Sequence, residues 1–304
     1  LLKWAEMSVT TINNAWAAIP LCWYSVIDGR SKRLISEAIR EHQEVMGWYA
    51  RRGIPVEVNE SHQWSLRDAH DTLAVTMAFL AAWNAKKAGV RDYVSQYMFN
   101  NPPGTTPEMD IAKMLAKDEL IGELKDDTFD VIREVRAGLA HFSSNPSFAQ
   151  GQLAASAVIS LALKPHILHV VGFSEGDHAI VPDELIQSCE IAHGVLHDTL
   201  SGMPDLTESK RVIERKNDLM DEARYLLEAL RRRGEGSGDD PWSDPDVIAG
   251  AIEAGVLDAP HFRGNRYLCG KIVTGLVEGA WYAIDPSTGS RIDERTRLSM
   301  HGGL

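Results

Sequence analysis

The chain has 304 residues, of which 44% are apolar and 24% are charged, and its formal net charge is −12. This length suits a large buried core in one α/β domain with an extension, or in two domains. A negative surface repels phosphate backbones, which argues against nucleic-acid binding. No apolar run reaches the roughly 18–20 residues of a membrane span. Three scattered cysteines, Cys22, Cys189 and Cys269, argue against a disulfide framework or a cysteine zinc site and indicate a reducing, cytoplasmic compartment.

Short apolar runs repeat along the first two thirds of the chain, each followed by turn-forming residues and then by a helical pattern. The predicted strands are 19–27, 55–59, 93–99, 138–142 and 167–173. The predicted helices after the first, second, third and fifth of these are 31–52, 66–88, 107–115 and 182–200. Strand starts about 30–45 residues apart are typical of βα units, so we expect the strands to be parallel.

Successive βα units build either an open sheet or a barrel. Neither GxGxxG nor GxxxxGK[ST] follows any predicted strand, which disfavours an open nucleotide-binding sheet. The strand ends are instead rich in Asn, Ser, Glu and His, and in a (β/α)8 barrel these ends converge on the mouth that holds the active site. We therefore predict an α/β fold of the TIM-barrel type with five strands visible, and we expect the other three upstream of Leu1.

The character of the sequence changes after about residue 200. A charged amphipathic helix is predicted over 209–233, a flexible link over 234–240, and a short helix over 242–255. We therefore expect two regions: a partial barrel over residues 1–203, and a helical and irregular extension over 204–304 packed on it.

Polar residues at the predicted strand ends are the candidate site. They are Asn59 and Glu60 at the second strand, Gln96 and Asn100 at the third, His141 at the fourth, and Ser174 and Glu175 at the fifth. Each is alternatively a satisfied polar group inside a barrel or a loop cap. Together they describe a mouth with few full charges, without the Asp/His cluster of a metal hydrolase or the close carboxylate pair of a glycosidase. Such a cavity suits a small organic substrate held by hydrogen bonds.

Two pairs of histidines lie close enough in sequence to be considered as metal ligands. His166 and His169 are three residues apart on a strand, which places them on opposite faces. His193 and His197 share one face of a helix, but no HExxH-type acid lies between them. No metal site is predicted.

The order of several stretches resembles a known family. Those stretches are GIPVEVNE at 53–60, the His141 unit, 165–182, and VIAGAIEAGVLDAP at 247–260. In this order they look like the barrel (epsilon) subunit of adenosylcobalamin-dependent glutamate mutase, also called methylaspartate mutase, and more distantly like ornithine and lysine aminomutase barrels. DAHDTL at 68–73 begins like a cobalamin-binding DxHxxG loop, but Leu73 stands where the glycine belongs.

The resemblance implies an isomerase that rearranges a small amino or carboxylic acid through radicals, in the cytoplasm and within an oligomer. It implies adenosylcobalamin, carried mainly by a separate subunit or domain because its loop motif is missing here. It assigns catalysis and substrate binding to His141, and we add Asn59, Gln96 and Asn100 as substrate-binding candidates from their strand-end positions. It assigns cofactor contacts to Glu60 and Glu175, with Glu175 holding the adenosyl ribose, and we add Ser174 from its position beside Glu175.

Departures from the family leave the substrate open. The family's lysine at the last strand falls near Val171, and its carboxylate-binding arginines belong to strands expected upstream. One alternative is an aminomutase-type barrel that also uses pyridoxal phosphate. Another is a non-catalytic barrel that binds a ligand or a partner protein.

Overall fold

Five parallel strands form the main sheet of the structure, a computed structural model that describes residues 1–236 and 238–300. They are β1 (Ala17–Ile19), β2 (Val56–Val58), β3 (Asp92–Phe99), β4 (Asp130–Ala137) and β5 (Ile167–Leu168). Each strand pairs with the next one along the chain, in the order β1-β2-β3-β4-β5. The predicted α/β class and parallel pairing are therefore confirmed. β1 and β5 are the two edges of this sheet, so a closed barrel is not formed by the described residues.

Helices connect the strands. They are α1 (Leu2–Ile12), α2 (Ile35–Ala50), α3 (Ser61–Ser65), α4 (Asp71–Lys87), α5 (Pro107–Gly122), α6 (Pro146–Ser160) and α7 (Pro182–Thr199). In α2, Ile35, Ala38 and Ile39 are buried at helical spacing, and Glu37 caps the first turn by accepting from the Leu34 amide at 2.9 Å.

The two faces of the sheet differ because side chains alternate along a strand. One face is apolar, and Ile19, Val58 and Tyr93 on it belong to one hydrophobic cluster with residues of α2 and α4. The opposite face carries the register partners Gln96–Glu134 and Met98–Arg136, together with Glu57. None of these residues belongs to a hydrophobic cluster among the described residues. We call this surface the polar face.

Two predicted strands are wrongly placed. β1 ends at Ile19, and the apolar Leu21, Cys22 and Trp23 after it are a buried loop rather than strand. β4 spans Asp130–Ala137, whereas Leu139–His141 in the predicted strand 138–142 form a 3-10 turn. Asp130, Glu134 and Arg136 of β4 lie on the polar face and Arg133 lies on the opposite face, so charges hide the alternation of this strand. The apolar residues of the following turn resemble a buried strand in sequence.

The helix predicted over 107–115 extends to Gly122. The buried side of α5 includes Asp110, Lys113 and Lys117 as well as Leu120 and Ile121. Buried charges interrupt the apolar periodicity from which helix length is predicted, so the predicted helix ends about two turns too early.

The C-terminal region packs on the same core. It contains α8 (Lys210–Arg233), α9 (Pro245–Glu253), an antiparallel sheet of β6 (Thr274–Val277), β7 (Ala280–Ile284) and β8 (Arg291–Ile292), and α10 (Glu294–Met300). Leu219 and Leu226 of α8 and Ile248 of α9 lie in one hydrophobic cluster with residues of β1 and β2. The division at residue 203 stays a prediction. No helix in the described part of the chain is both long and apolar enough to cross a membrane.

Candidate functional site

The polar face presents a close pair of carboxyl groups, Glu57 of β2 and Glu134 of β4. They are 3% and 1% exposed and lie within hydrogen-bonding contact of each other. Glu57 Oε1 accepts from Gln96 Nε2 at 2.7 Å, and its Oε2 accepts from Trp16 Nε1 at 2.8 Å. The sequence predicted no close carboxylate pair, and this expectation is wrong. The pair was missed because the two residues are 77 positions apart in the chain and meet across β3.

Burial, followed by the negative charge of Glu134, raises the pKa of Glu57 to about 8. Two carboxyl groups in contact resist double ionisation, because the second charge is repelled by the first and both are removed from water. Glu57 therefore holds a proton at neutral pH.

Two basic side chains flank the pair. His169, two residues beyond Ile167 on the same face, places Nδ1 2.7 Å from Glu134 Oε1. The Arg136 guanidinium interacts electrostatically with Glu57, Glu134 and Glu175, and burial lowers its pKa. The positive charge of Arg136 therefore acts on both carboxyl groups.

His141 and Glu175 lie on neighbouring turns at the carboxyl edge of the sheet. His141 ends the turn Leu139–His141 and Glu175 lies in the turn Phe173–Gly176. The turns touch, since a Cβ added at Gly176 would lie 3.0 Å from Phe142 Cβ. Burial lowers the pKa of His141, so its imidazole is neutral at pH 7. Glu175 is exposed, and its Oε1 accepts from the Gly172 amide at 3.1 Å.

Two other predicted residues extend the polar face. Gln96 lies half-buried beside Glu57, and Asn59 follows Glu57 by two residues and is also half-buried. The side-chain oxygens of both, Gln96 Oε1 and Asn59 Oδ1, are buried without a hydrogen-bond partner. The structure therefore gathers Asn59 and Gln96 on one surface and His141 and Glu175 on the adjoining edge.

The remaining three predicted residues are engaged inside the protein. Glu60 is fully buried, and its carboxylate accepts from Leu21 N at 2.9 Å, Cys22 N at 3.1 Å and Trp64 Nε1 at 2.8 Å. Ser174 Oγ donates to Glu184 Oε2 at 2.7 Å. The Asn100 amide and side chain donate to Asp110 and Ser156. These contacts hold the loops of the edge in place.

A buried ion network supports the loop after β3. Lys113 Nζ lies 3.1 Å from Asp110 Oδ1 and 3.3 Å from Asp71 Oδ1, and donates to Asn101 O at 2.8 Å. Lys117, one turn further along α5, is 2% exposed, and burial followed by the charge of Lys113 lowers its pKa to about 7. Neither amine is accessible for a covalent bond to a cofactor.

Sequence reasoning missed Glu134, Arg136 and His169. Alternation of Val131, Val135 and Ala137 on the apolar face of β4 is the signal that could have placed Glu134 and Arg136 opposite them.

Within residues 1–236 and 238–300, no three His, Cys, Asp or Glu side chains are grouped so as to hold a metal ion. His193 and His197 lie exposed on α7. No protein-family model and no curated protein matches the chain.

Proposed function

We propose that the chain is the barrel subunit of an adenosylcobalamin-dependent mutase that rearranges a small amino or carboxylic acid. The observation that carries the proposal is the strand order. Five parallel strands pair in chain order, with helices on one face and polar groups on the other, and this arrangement supports a wall of a (β/α)8 barrel whose interior is the polar face. An open doubly wound sheet would reverse its strand order at a switch point. Three further strands would close this wall.

The site suits a reaction in which the protein binds and shelters the substrate while a cofactor supplies the reactive species. When bound, adenosylcobalamin would supply the carbon-centred radical that removes a hydrogen atom from the substrate. His141 is half-buried and neutral, so one ring nitrogen can donate a hydrogen bond to a substrate acid group. Asn59 and Gln96 offer unpartnered amide oxygens to substrate donors.

The cofactor residues expected from the resemblance fit unequally. Glu175 fits a contact to the ribose hydroxyls, because its carboxylate is exposed at the edge and its Oε1 carries the internal bond. Glu60 does not fit, since both its oxygens accept from the chain in a fully buried position. We assign Glu60 and Ser174 to positioning the edge loops.

A separate cobalamin-carrying subunit or domain is part of the proposal. His70, in the stretch that resembles a cobalamin loop, is buried and places Nε2 2.7 Å from Glu294 Oε1, where a cobalt ion could not reach it.

The test combines the full-length protein, adenosylcobalamin and a cobalamin-binding partner encoded beside it. Candidate amino and carboxylic acids are added, and cob(II)alamin absorbance and the radical resonance signal are recorded. A substrate-dependent signal supports the mutase. An unchanged spectrum with every acid favours the non-catalytic barrel, and pyridoxal absorbance in the purified protein favours the aminomutase.

Two variants locate the chemistry. His141→Ala should lower turnover by orders of magnitude while the protein stays folded, with His193→Ala on the exposed face of α7 as the matched control. Wild-type turnover in His141→Ala would remove this residue from the site. Glu175→Gln should weaken cofactor retention more than substrate binding, and the reverse pattern would contradict the ribose contact.

A further inference from the structure

The carboxyl pair on the polar face has more acceptors than donors around it. Glu134 Oε2 has no hydrogen-bond partner although the residue is 1% exposed, and the neighbouring Gln96 Oε1 also lacks one. Two ionised carboxylates cannot donate to each other, so Glu57 and Glu134 satisfy one another when one of them is protonated. Buried acceptors left without a donor are costly. The site is therefore built to receive a proton or a donor-rich cation.

We propose that the Glu57–Glu134 pair binds a primary ammonium group, whose donors satisfy the unpartnered Glu134 Oε2 and Gln96 Oε1 and which enters in exchange for the proton on Glu57. An ammonium group carries one positive charge, like the proton, and offers three donors to the gathered oxygens. In the exchange no covalent bond forms. The proton leaves Glu57 for solvent, and the charge of the site is unchanged.

The cationic side chains near the pair do not occupy the proposed ammonium site. Arg136 makes no ion pair with either carboxylate among the described residues, and its Nε donates to Ala137 O at 3.4 Å. His169 occupies Glu134 Oε1 from the solvent side, where its side chain is 42% exposed. The pair itself is buried, but the polar side chains around it, Gln96, Arg136 and His169, are partly exposed, and none of them belongs to an apolar cluster of the described residues. An entering ammonium group therefore displaces polar side chains and leaves the hydrophobic core in place.

The charged and titratable groups that face the pair set its pH dependence. They are Arg136 and His169 on the polar face and Glu175 beside Arg136 at the edge; Tyr93 of β3 lies on the opposite face and interacts with Glu57 through the sheet. Burial and repulsion within the pair keep its proton bound up to about pH 8. An ammonium ligand must displace that proton, so its affinity should rise about tenfold per pH unit below pH 8 and level off above it. The amine itself stays charged to about pH 10.

The experiment titrates the full chain with n-propylammonium chloride. Calorimetry at pH 7 in buffers of different ionisation enthalpy should show about one proton released per bound ligand. The dissociation constant should fall about tenfold from pH 6 to pH 7. The indole N–H of Trp16, which donates to Glu57, should shift in NMR spectra, and Trp16→Phe identifies that signal. Tetramethylammonium has the same charge but no N–H donor and should bind at least about tenfold more weakly.

Variants distinguish binding at the Glu57–Glu134 pair from a general attraction of the ammonium ion to a negatively charged protein. Glu134→Gln removes one of the two carboxyl groups and the unpartnered Oε2, so binding should weaken about tenfold or more. Glu190→Gln changes an exposed carboxylate on α7 and should bind like the wild type. Binding without proton release, equal binding of tetramethylammonium, or no binding of n-propylammonium would each overturn the proposal. If Glu134→Gln does not fold, proton release by the wild-type protein decides alone.

The exchange requires no cobalamin. A failed titration leaves the mutase proposal standing, and an absent radical signal leaves the ammonium site standing.

Discussion

Replacing Asp71 with asparagine should destabilise the protein more than any surface substitution. Asp71 begins α4, is 1% exposed and joins three parts of the molecule. Its Oδ1 lies 3.3 Å from Lys113 Nζ, and its Oδ2 lies 3.2 Å from Arg215 Nη2 on α8 and accepts from the Trp281 amide at 3.1 Å. The neutral amide keeps the shape but leaves two buried cations short of one negative charge.

The expected loss follows from this geometry. Removing one partner of a buried ion pair costs about 3–5 kcal/mol, because the other charge remains buried and uncompensated. Lys113 retains Asp110 at 3.1 Å, which limits the loss on that side. Arg215 retains the Trp281 carbonyl at 3.4 Å, which is a weaker acceptor than a carboxylate. We therefore expect a decrease of about 3–4 kcal/mol in the free energy of unfolding.

The measurement is urea denaturation at pH 7, followed by tryptophan fluorescence and far-UV circular dichroism. Asp198→Asn is the matched control, since Asp198 is exposed on α7 and should change the free energy by less than about 0.5 kcal/mol. Adding Arg215→Met to Asp71→Asn should cost less than the sum of the two single losses, because the second substitution removes a stranded charge. A loss below about 1 kcal/mol in Asp71→Asn would refute the assigned role of the network.

Two further predictions concern pH and backbone crowding. Burial lowers the pKa of His42 to about 4 and that of His62 to about 3, so the unfolded chain binds protons that the folded chain excludes. Stability should therefore fall between pH 7 and pH 5 by about 2 kcal/mol for each histidine, and urea midpoints that do not change with pH in this range would contradict this. Gly279 has φ +84, and an added Cβ would lie 2.3 Å from Thr106 Cγ2, whereas Gly289 has φ +71 and open space around it. Thermal melts should show Gly279→Ala to be about 1–3 kcal/mol less stable than Gly289→Ala, and equal melting temperatures would rule out the crowding.

Local patterns in the sequence predicted the parallel class and most helices. The helix predicted over 209–233 is observed as Lys210–Arg233, and the strand predicted over 93–99 as Asp92–Phe99. Apolar periodicity and turn residues act over a few positions, so they can be read without knowing what packs against them. The same patterns misplaced β4, because its four charged residues, on both faces of the strand, interrupt the apolar run by which a buried strand is recognised.

The sequence likewise predicted one property of the candidate site and failed to predict another. Their positions after predicted strands placed His141 and Glu175 at one edge of the sheet, because parallel strands end on the same side. The structure has both residues at that edge. Residue type and spacing did not predict whether a polar side chain at that edge is exposed to solvent or bonded inside the protein. Glu175 is exposed, whereas Glu60 is buried and accepts hydrogen bonds from the chain.

The sequence by itself determined which residues form repeating βα units and where their polar tips occur, because those properties depend on neighbours along the chain. Tertiary structure alone decided that Glu57 and Glu134 meet on the polar face and that the pKa of Glu57 is raised there. Their contact depends on the pairing of both strands with β3 and on the exclusion of water from that surface. Those forces act between segments far apart in the chain, and no local pattern encodes them.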